Sequence, residues 1–159
     1  EDSQCTDKEL ELYKKLLEEF PRNVSIVLQA YLRRPLDDLK NLAKFDNGRG
    51  LINVRLCKGI YNEPEELAFK NKQEINRHYL DDLEYMVQNN IFAAIATHDR
   101  ALINGAYDII GNHHVQGNRF EFQMLYGVTI PCVSMFLMER TGLIIQPEDC
   151  AKIPVWSHT

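Results

Sequence analysis

The chain has 159 residues and a formal net charge of −5, with 45 % hydrophobic and 26 % charged residues. That composition excludes a disordered or fibrous chain and is sufficient for a packed core. The acidic balance argues against a general nucleic-acid binder, and no apolar run reaches the roughly 18–20 residues of a membrane span.

Taken in order, Leu10, Tyr13, Leu16, Leu17 and Phe20 fall on one helical face, and Thr6 with Glu9 has the form of a capping box. Val24–Leu28 is a short apolar run of strand type. Pro35 suits the first turn of the next helix, which buries Leu36, Leu39, Leu42 and Ala43. Gly48 and Gly50 end that unit. Ile52, Val54 and Leu56 then alternate with Asn53, Arg55 and Cys57, the period of a strand. A long connection, roughly Gly59–Lys72, leads to an amphipathic helix marked by Ile75, Tyr79, Leu83, Met86 and Val87. Ile91–Ala96 is wholly apolar and reads as a strand buried on both faces. Asp99 caps a helix carrying Leu102, Ile103, Ala106, Ile109 and Ile110. Phe120, Phe122 and Met124 alternate with Glu121, Gln123 and Leu125 as a fourth strand. Val128–Arg140 reads as a helix with Pro131 near its start, and Leu143–Thr159 has no clear pattern.

Strands alternating with helices predict an α/β protein with a parallel sheet. An open doubly wound sheet competes with a (β/α)8 barrel, and about four strands amount to roughly half of a barrel. The four cysteines, Cys5, Cys57, Cys132 and Cys150, include no CxxC pair, and the expectation is reduced thiols rather than a zinc site or disulfides. No signal-peptide pattern follows Glu1, and a chain starting without Met is expected to be processed or excised from something longer.

Ligands of parallel α/β folds bind at the carboxyl ends of the strands. Those ends are QAYLRR (Gln29 to Arg34), VRLCKGIY (Val54 to Tyr61), ATHD (Ala96 to Asp99) and FEFQMLYG (Phe120 to Gly127). All are polar or charged, which a purely structural sheet does not require. Plainer readings exist for each. Arg55 and Glu121 could form an internal ion pair, Lys58 could be a solvated rim charge, and Asp99 serves a helix N-terminus. His98 could be a satisfied histidine, and His113 and His114 suit a helix end, where cations are favoured.

In this order and spacing, the four strings resemble proline dehydrogenase, over about residues 1–128. VRLCKGIY and FEFQMLYG carry most of the specificity. The resemblance implies a (β/α)8-barrel flavoenzyme that oxidises L-proline to Δ1-pyrroline-5-carboxylate and passes electrons from FAD to a membrane quinone. It implies that the strands here are the fourth to seventh of the barrel. Carried over position by position, Arg55 is the catalytic residue, set against the flavin near its reactive nitrogen. Gln29 hydrogen-bonds the ring. Lys58, Gly59 and Tyr61 cradle the ribityl and phosphate part, Thr97 and His98 the pyrophosphate or adenosine side. Gln123 and Leu125 line the far flavin wall and the substrate pocket, and no metal is implied. A cytoplasmic protein, peripheral to the membrane, is the expected setting.

The departures are at the ends. The family's arginine pair for the proline carboxylate lies on its last helix, which is not recognisable here, and Arg33 and Arg34 do not inherit that role. Glu1-Asp2-Ser3 resembles the end of the third strand, and residues 129–159 diverge, so the chain reads as a single, partial barrel domain over 1–159. Other classes remain open. A barrel remnant without activity could associate, with partners or itself, through unpaired sheet edges. A Schiff-base lyase at Lys58 would need a desolvated lysine, and a dinucleotide domain would need a GxGxxG after a strand.

Overall fold

The computed structural model describes residues 3–21 and 23–124. The chain divides into two units, Glu1–Gln123 and Met124–Thr159, and the first contains all the elements below. Leu125, the Val128–Arg140 helix, the 129–159 segment, Cys132 and Cys150 lie outside the described residues.

Four αβ repeats are visible in the element order. Helix α1 (Thr6–Glu19) precedes β1 (Ile26–Gln29), α2 (Pro35–Asp46), β2 (Asn53–Cys57), α3 (Lys72–Gln88), β3 (Phe92–Ala96) and α4 (Arg100–Asn112). A 3-10 turn, Gly117–Arg119, leads into β4 (Phe120–Gln123). The strands are all parallel and lie in the order β1-β2-β3-β4. Right-handed crossovers that always step the same way place every helix on one face of the sheet. Accordingly α2 packs on α3 and α3 on α4. A doubly wound sheet reverses its strand order at a switch point; this one does not, and its winding is that of a barrel segment.

The helix-covered face is the core. Ile26, Leu28, Val54, Leu56, Ala93 and Ile95 are buried there with Leu39, Leu42, Tyr79, Leu83, Met86, Leu102 and Ala106, and Phe120 and Phe122 pack against them. Two tyrosines tie helices to strand backbone. The Tyr13 hydroxyl accepts from Asn53 N at 3.0 Å and donates to Asn53 O at 3.3 Å. The Tyr79 hydroxyl donates to Leu56 O at 2.8 Å, and burial pushes its pKa up. Between α3 and α4 the Leu80 side chain packs directly onto Gly105, where a Cβ would lie 2.7 Å from Leu80 Cδ1. The turn after α2 is closed by the buried Asp46, which accepts from Gly50 N at 2.6 Å and Leu51 N at 3.0 Å.

Two local expectations need correction. Thr6 is not the cap of α1: Cys5 holds that position without a side-chain cap bond, and Thr6 is buried as the first helical residue. The first strand runs Ile26–Gln29 rather than Val24–Leu28, because its register with β2 pairs Ile26 with Val54 and Gln29 with Cys57. Pro35 and Asp99 do start their helices as expected, with Asp99 accepting from Ala101 N. Among the described residues neither Cys5 nor Cys57 is in a disulfide, and the Cys57 thiol donates to Leu28 O at 3.7 Å. Among the described residues, no helix is long and apolar enough to cross a membrane.

Asp82 on α3 is 3 % exposed. Burial first, and then the neighbouring Asp81, push its carboxyl up to about 7. An unfolded carboxyl of this type ionises near pH 4, so between about pH 4 and 7 the folded state holds the extra proton. Stability therefore falls as pH rises through that window and stays reduced above it. Urea denaturation should find Asp82→Asn more stable than the parent at pH 8, with the difference closing as pH falls toward 4.

Candidate cofactor-binding rim

The sheet face opposite the helices carries Val27, Gln29, Asn53, Arg55, Cys57, Ala94, Glu121 and Gln123, by strict alternation with the core residues. Register aligns Val27, Arg55, Ala94 and Glu121 in one row. The small Ala94 leaves room between the two charged residues. Arg55 and Glu121 do not pair directly, contrary to the ion-pair reading. Gln123 stands between them: Arg55 Nε donates to Gln123 Oε1 at 2.7 Å, and Gln123 Nε2 donates to Glu121 Oε1 at 2.6 Å. The amide is thus oriented by the carboxylate and in turn orients the guanidinium. Gln29 is buried one alternation further along β1, opposite Cys57.

Beyond the end of β2 lies a cleft of about 340 Å³, lined by Lys58, Gly59, Tyr61, Tyr31, Lys70 and Lys72 among others. Three of the expected cofactor residues, Lys58, Gly59 and Tyr61, therefore share one wall. Gly59 has φ +98°, and a Cβ there would fall 2.1 Å from the Tyr31 ring. Only glycine fits both the backbone conformation and the packing.

Lys58 is not a freely solvated charge. Its ammonium donates to Asp99 Oδ2 at 2.6 Å, with side-chain exposures of 26 % and 18 %. Lys72 approaches the same oxygen at 3.6 Å. Asp99 Oδ1 meanwhile caps α4 at Ala101 N, and the Asp99 amide donates to Thr97 Oγ1 at 3.1 Å. The Lys58 hydrogen bond is the main reason the Asp99 carboxyl is held down to about 2. Thr97 is buried and serves this turn, whereas His98 is exposed and makes no side-chain hydrogen bond among the described residues. Thr97 and His98 are thus brought to the rim but not into the cleft wall.

The β2–α3 connection folds back over the β1–α2 loop. Leu32 and Ala68 form an antiparallel bridge, Arg33 N donates to Leu67 O at 2.9 Å, and Phe69 N donates to Tyr31 O at 2.7 Å. The Arg33 guanidinium lies 4.3 Å from the centre of the Phe69 ring, which stacks on His78 at 4.0 Å. Lys70 Nζ donates to Asn62 Oδ1 at 3.0 Å and to Glu63 O. Arg34 is clasped by Asp38 at 2.7 Å and Asp7 at 2.6 Å, which raises its pKa further. Both arginines are occupied in holding loops. Sequence reasoning did not foresee the partnership of Lys58 with Asp99, or the parts of Tyr31, Lys70 and Lys72. The ends of adjacent parallel strands carried a signal for the first, since Lys58 and Asp99 follow β2 and β3.

The donor set suits an elongated anion with a polar ring. A fixed guanidinium and three carboxamides, those of Gln29, Asn53 and Gln123, face the open side of the sheet, and three lysines ring the cleft. Arg55 and Lys58 are roughly 10 Å apart along the chain if extended, so one ligand can reach both.

The chain is similar to known proteins in both sequence and fold. The family described as Proline dehydrogenase matches residues 1–142. Proline dehydrogenase 2 of Bacillus subtilis is 36 % identical over 131 residues, covering 80 % of this chain and 40 % of the relative. A proline dehydrogenase of Deinococcus radiodurans is 34 % identical over 129 residues, with the same coverage of 80 % and 40 %. Among solved structures, proline utilization A from Bdellovibrio bacteriovorus superposes with a TM-score of 0.75 at 28 % identity, over 87 % of this chain and 16 % of that one. The chain thus spans about 40 % of the length of the curated relatives it matches.

Gly59→Ala should destabilise the protein by at least about 2 kcal/mol, since it combines a disfavoured φ with an overlap on Tyr31. In a Tyr31→Ala background the overlap is gone and about 1 kcal/mol of backbone strain should remain. A double-mutant cycle by urea unfolding measures both, and additive effects would separate Gly59 from Tyr31.

Proposed function

Because the chain belongs to the proline dehydrogenase family, we propose that it forms the flavin-facing arc of a (β/α)8 barrel that oxidises L-proline to Δ1-pyrroline-5-carboxylate with FAD and a quinone acceptor. The observation that carries this reading is the Arg55–Gln123–Glu121 relay on the open sheet face, on the strand that leads into the lysine-lined cleft. The flavin, when bound, takes up the electrons that leave proline. The chain's own residues prepare for that charge. Arg55 offers a cation whose Nε is already held by Gln123, so it need not reorganise as negative charge develops. Glu121 keeps the Gln123 amide turned toward Arg55. Gln29, buried beside Cys57, hydrogen-bonds the ring in this reading.

Lys58 and Lys72 face the phosphate side, Gly59 and Tyr61 form its wall, and Thr97 and His98 lie at the outer end. Leu125, outside the described residues, takes its substrate-pocket role from the family resemblance alone. The quinone and a peripheral contact with the membrane rest on the family resemblance alone. A carboxylate clamp for proline requires a bidentate cation pair. Arg33 and Arg34 are engaged elsewhere, so the described residues furnish the cofactor side of the site. A second reading, an interaction module without catalysis, is favoured by β1 and β4, each paired on one side only among the described residues.

The test is to add FAD, follow flavin fluorescence, and then follow proline-dependent bleaching of the bound flavin in the enzyme carrying this chain. Arg55→Met should retain flavin but be reduced more slowly, by an amount on the order of 2–4 kcal/mol of barrier. Arg55→Lys should recover part of that loss. Parent-like reduction kinetics in Arg55→Met would remove the role given to Arg55. Absence of FAD uptake, with concentration-dependent self-association, would favour the interaction module.

A further inference from the structure

Asp99 is more than a helix cap. One of its oxygens serves the N-terminus of α4, but the other is committed to the ammonium of Lys58 at 2.6 Å and is approached by Lys72 at 3.6 Å. Both lysines line the cleft, whereas the third, Lys70, is turned to Asn62 and Glu63 O. The two cations that an incoming anion would meet therefore arrive with a carboxylate already between them. Their combined charge with Asp99 is +1 rather than +2.

Resting on the flavin reading above, we propose that Asp99 is a specificity-determining counter-charge, which weakens the cleft for small free phosphates so that it favours a diphosphate carried on a ligand anchored elsewhere on the sheet. A free phosphate or pyrophosphate must share Lys58 with Asp99 and gains nothing else in return. A flavin dinucleotide presents a diphosphate diester, which carries fewer negative charges than free pyrophosphate and is repelled less by Asp99, and it also contacts the Arg55 row, roughly 10 Å back along β2. Those added contacts offset the competition. The carboxyl is ionised throughout the physiological range, because Lys58 holds it down to about 2, so the counter-charge is always present.

The idea separates the two jobs of Asp99 cleanly. Asparagine and serine are good N-caps and carry no charge. Asp99→Asn therefore keeps an oxygen for Ala101 N while freeing Lys58 and Lys72. Removing one carboxylate from a partly exposed pair changes an anion's affinity by about fivefold, the equivalent of about 1 kcal/mol.

The experiment titrates parent and Asp99→Asn proteins with inorganic pyrophosphate by calorimetry and with FAD by fluorescence, with thermal melting as a control. Asp99→Asn should bind pyrophosphate at least about fivefold more tightly, with a steeper dependence on salt. The gain should vanish in Asp99→Asn/Lys58→Met. FAD affinity should rise less, so that preference for FAD over pyrophosphate falls. Asp99→Ser is the second variant should the asparagine protein melt early. Equal or weaker pyrophosphate binding in a normally folded variant would overturn the proposal, and with FAD still bound by the parent it would leave the flavin reading standing. Tighter pyrophosphate binding with no FAD uptake by either protein would keep the counter-charge and reject the flavin reading. A purely structural Asp99 would change melting without changing the ratio of the two affinities.

Discussion

The handedness of the βα crossover is the constraint on which this structure depends. Right-twisted strands joined through right-handed crossovers, always stepping to the same side, leave one sheet face under helices and the other open. Once that is set, alternation along each strand sorts the residues without further choice. Val54 and Leu56 enter the core, while Arg55 and Cys57 face the other way. The same rule sends Phe120 and Phe122 to the core and Glu121 and Gln123 to the open side. The Arg55–Gln123–Glu121 relay is a direct product of parallel register across three strands, with Ala94 in the gap.

The polar relay also shows why a simple charge pairing is the wrong expectation for such a face. A direct Arg55–Glu121 pair would neutralise the guanidinium and spend its directional donors on a neighbour. Interposing a neutral amide holds the Nε–H of Arg55 while leaving the carboxylate at one remove. The cation stays oriented and retains its charge for a ligand. At the strand ends the opposite arrangement holds, since Lys58 touches Asp99 directly. One rim therefore contains a cation kept available and another kept in check.

Much of this architecture was legible in the sequence because it rests on local periodicity. The alternation at Ile52–Cys57 and the helical spacing of Ile75, Tyr79, Leu83 and Met86 appear in the structure as β2 and α3. Pro35 and Asp99 marked helix starts for reasons that act within a few residues. Thr6 misled because a capping-box pattern does not reveal that the residue itself is buried and already helical. The first strand was misplaced by two residues at its start, because its limits are set by pairing with β2 and not by its own apolar run. The four strings at the strand ends pointed to the right family. They did not reveal that the Gly59–Lys72 connection doubles back on Tyr31, Leu32 and Arg33. Those contacts join segments some thirty residues apart, as in the Arg33–Glu65 bond, and no local pattern encodes them.

That doubling back has a consequence for motion. Loops at a binding rim usually exchange their amide hydrogens quickly, each on its own schedule. Here the amides of Arg33 and Phe69 donate across the two loops, to Leu67 O and Tyr31 O, and the Arg33 guanidinium rests on the Phe69 ring. Neither loop can peel away without breaking the other's hydrogen bonds. The pair should behave as one cooperative opening unit, slow to exchange for a loop region, with the wall of the cleft opening and closing as a single event.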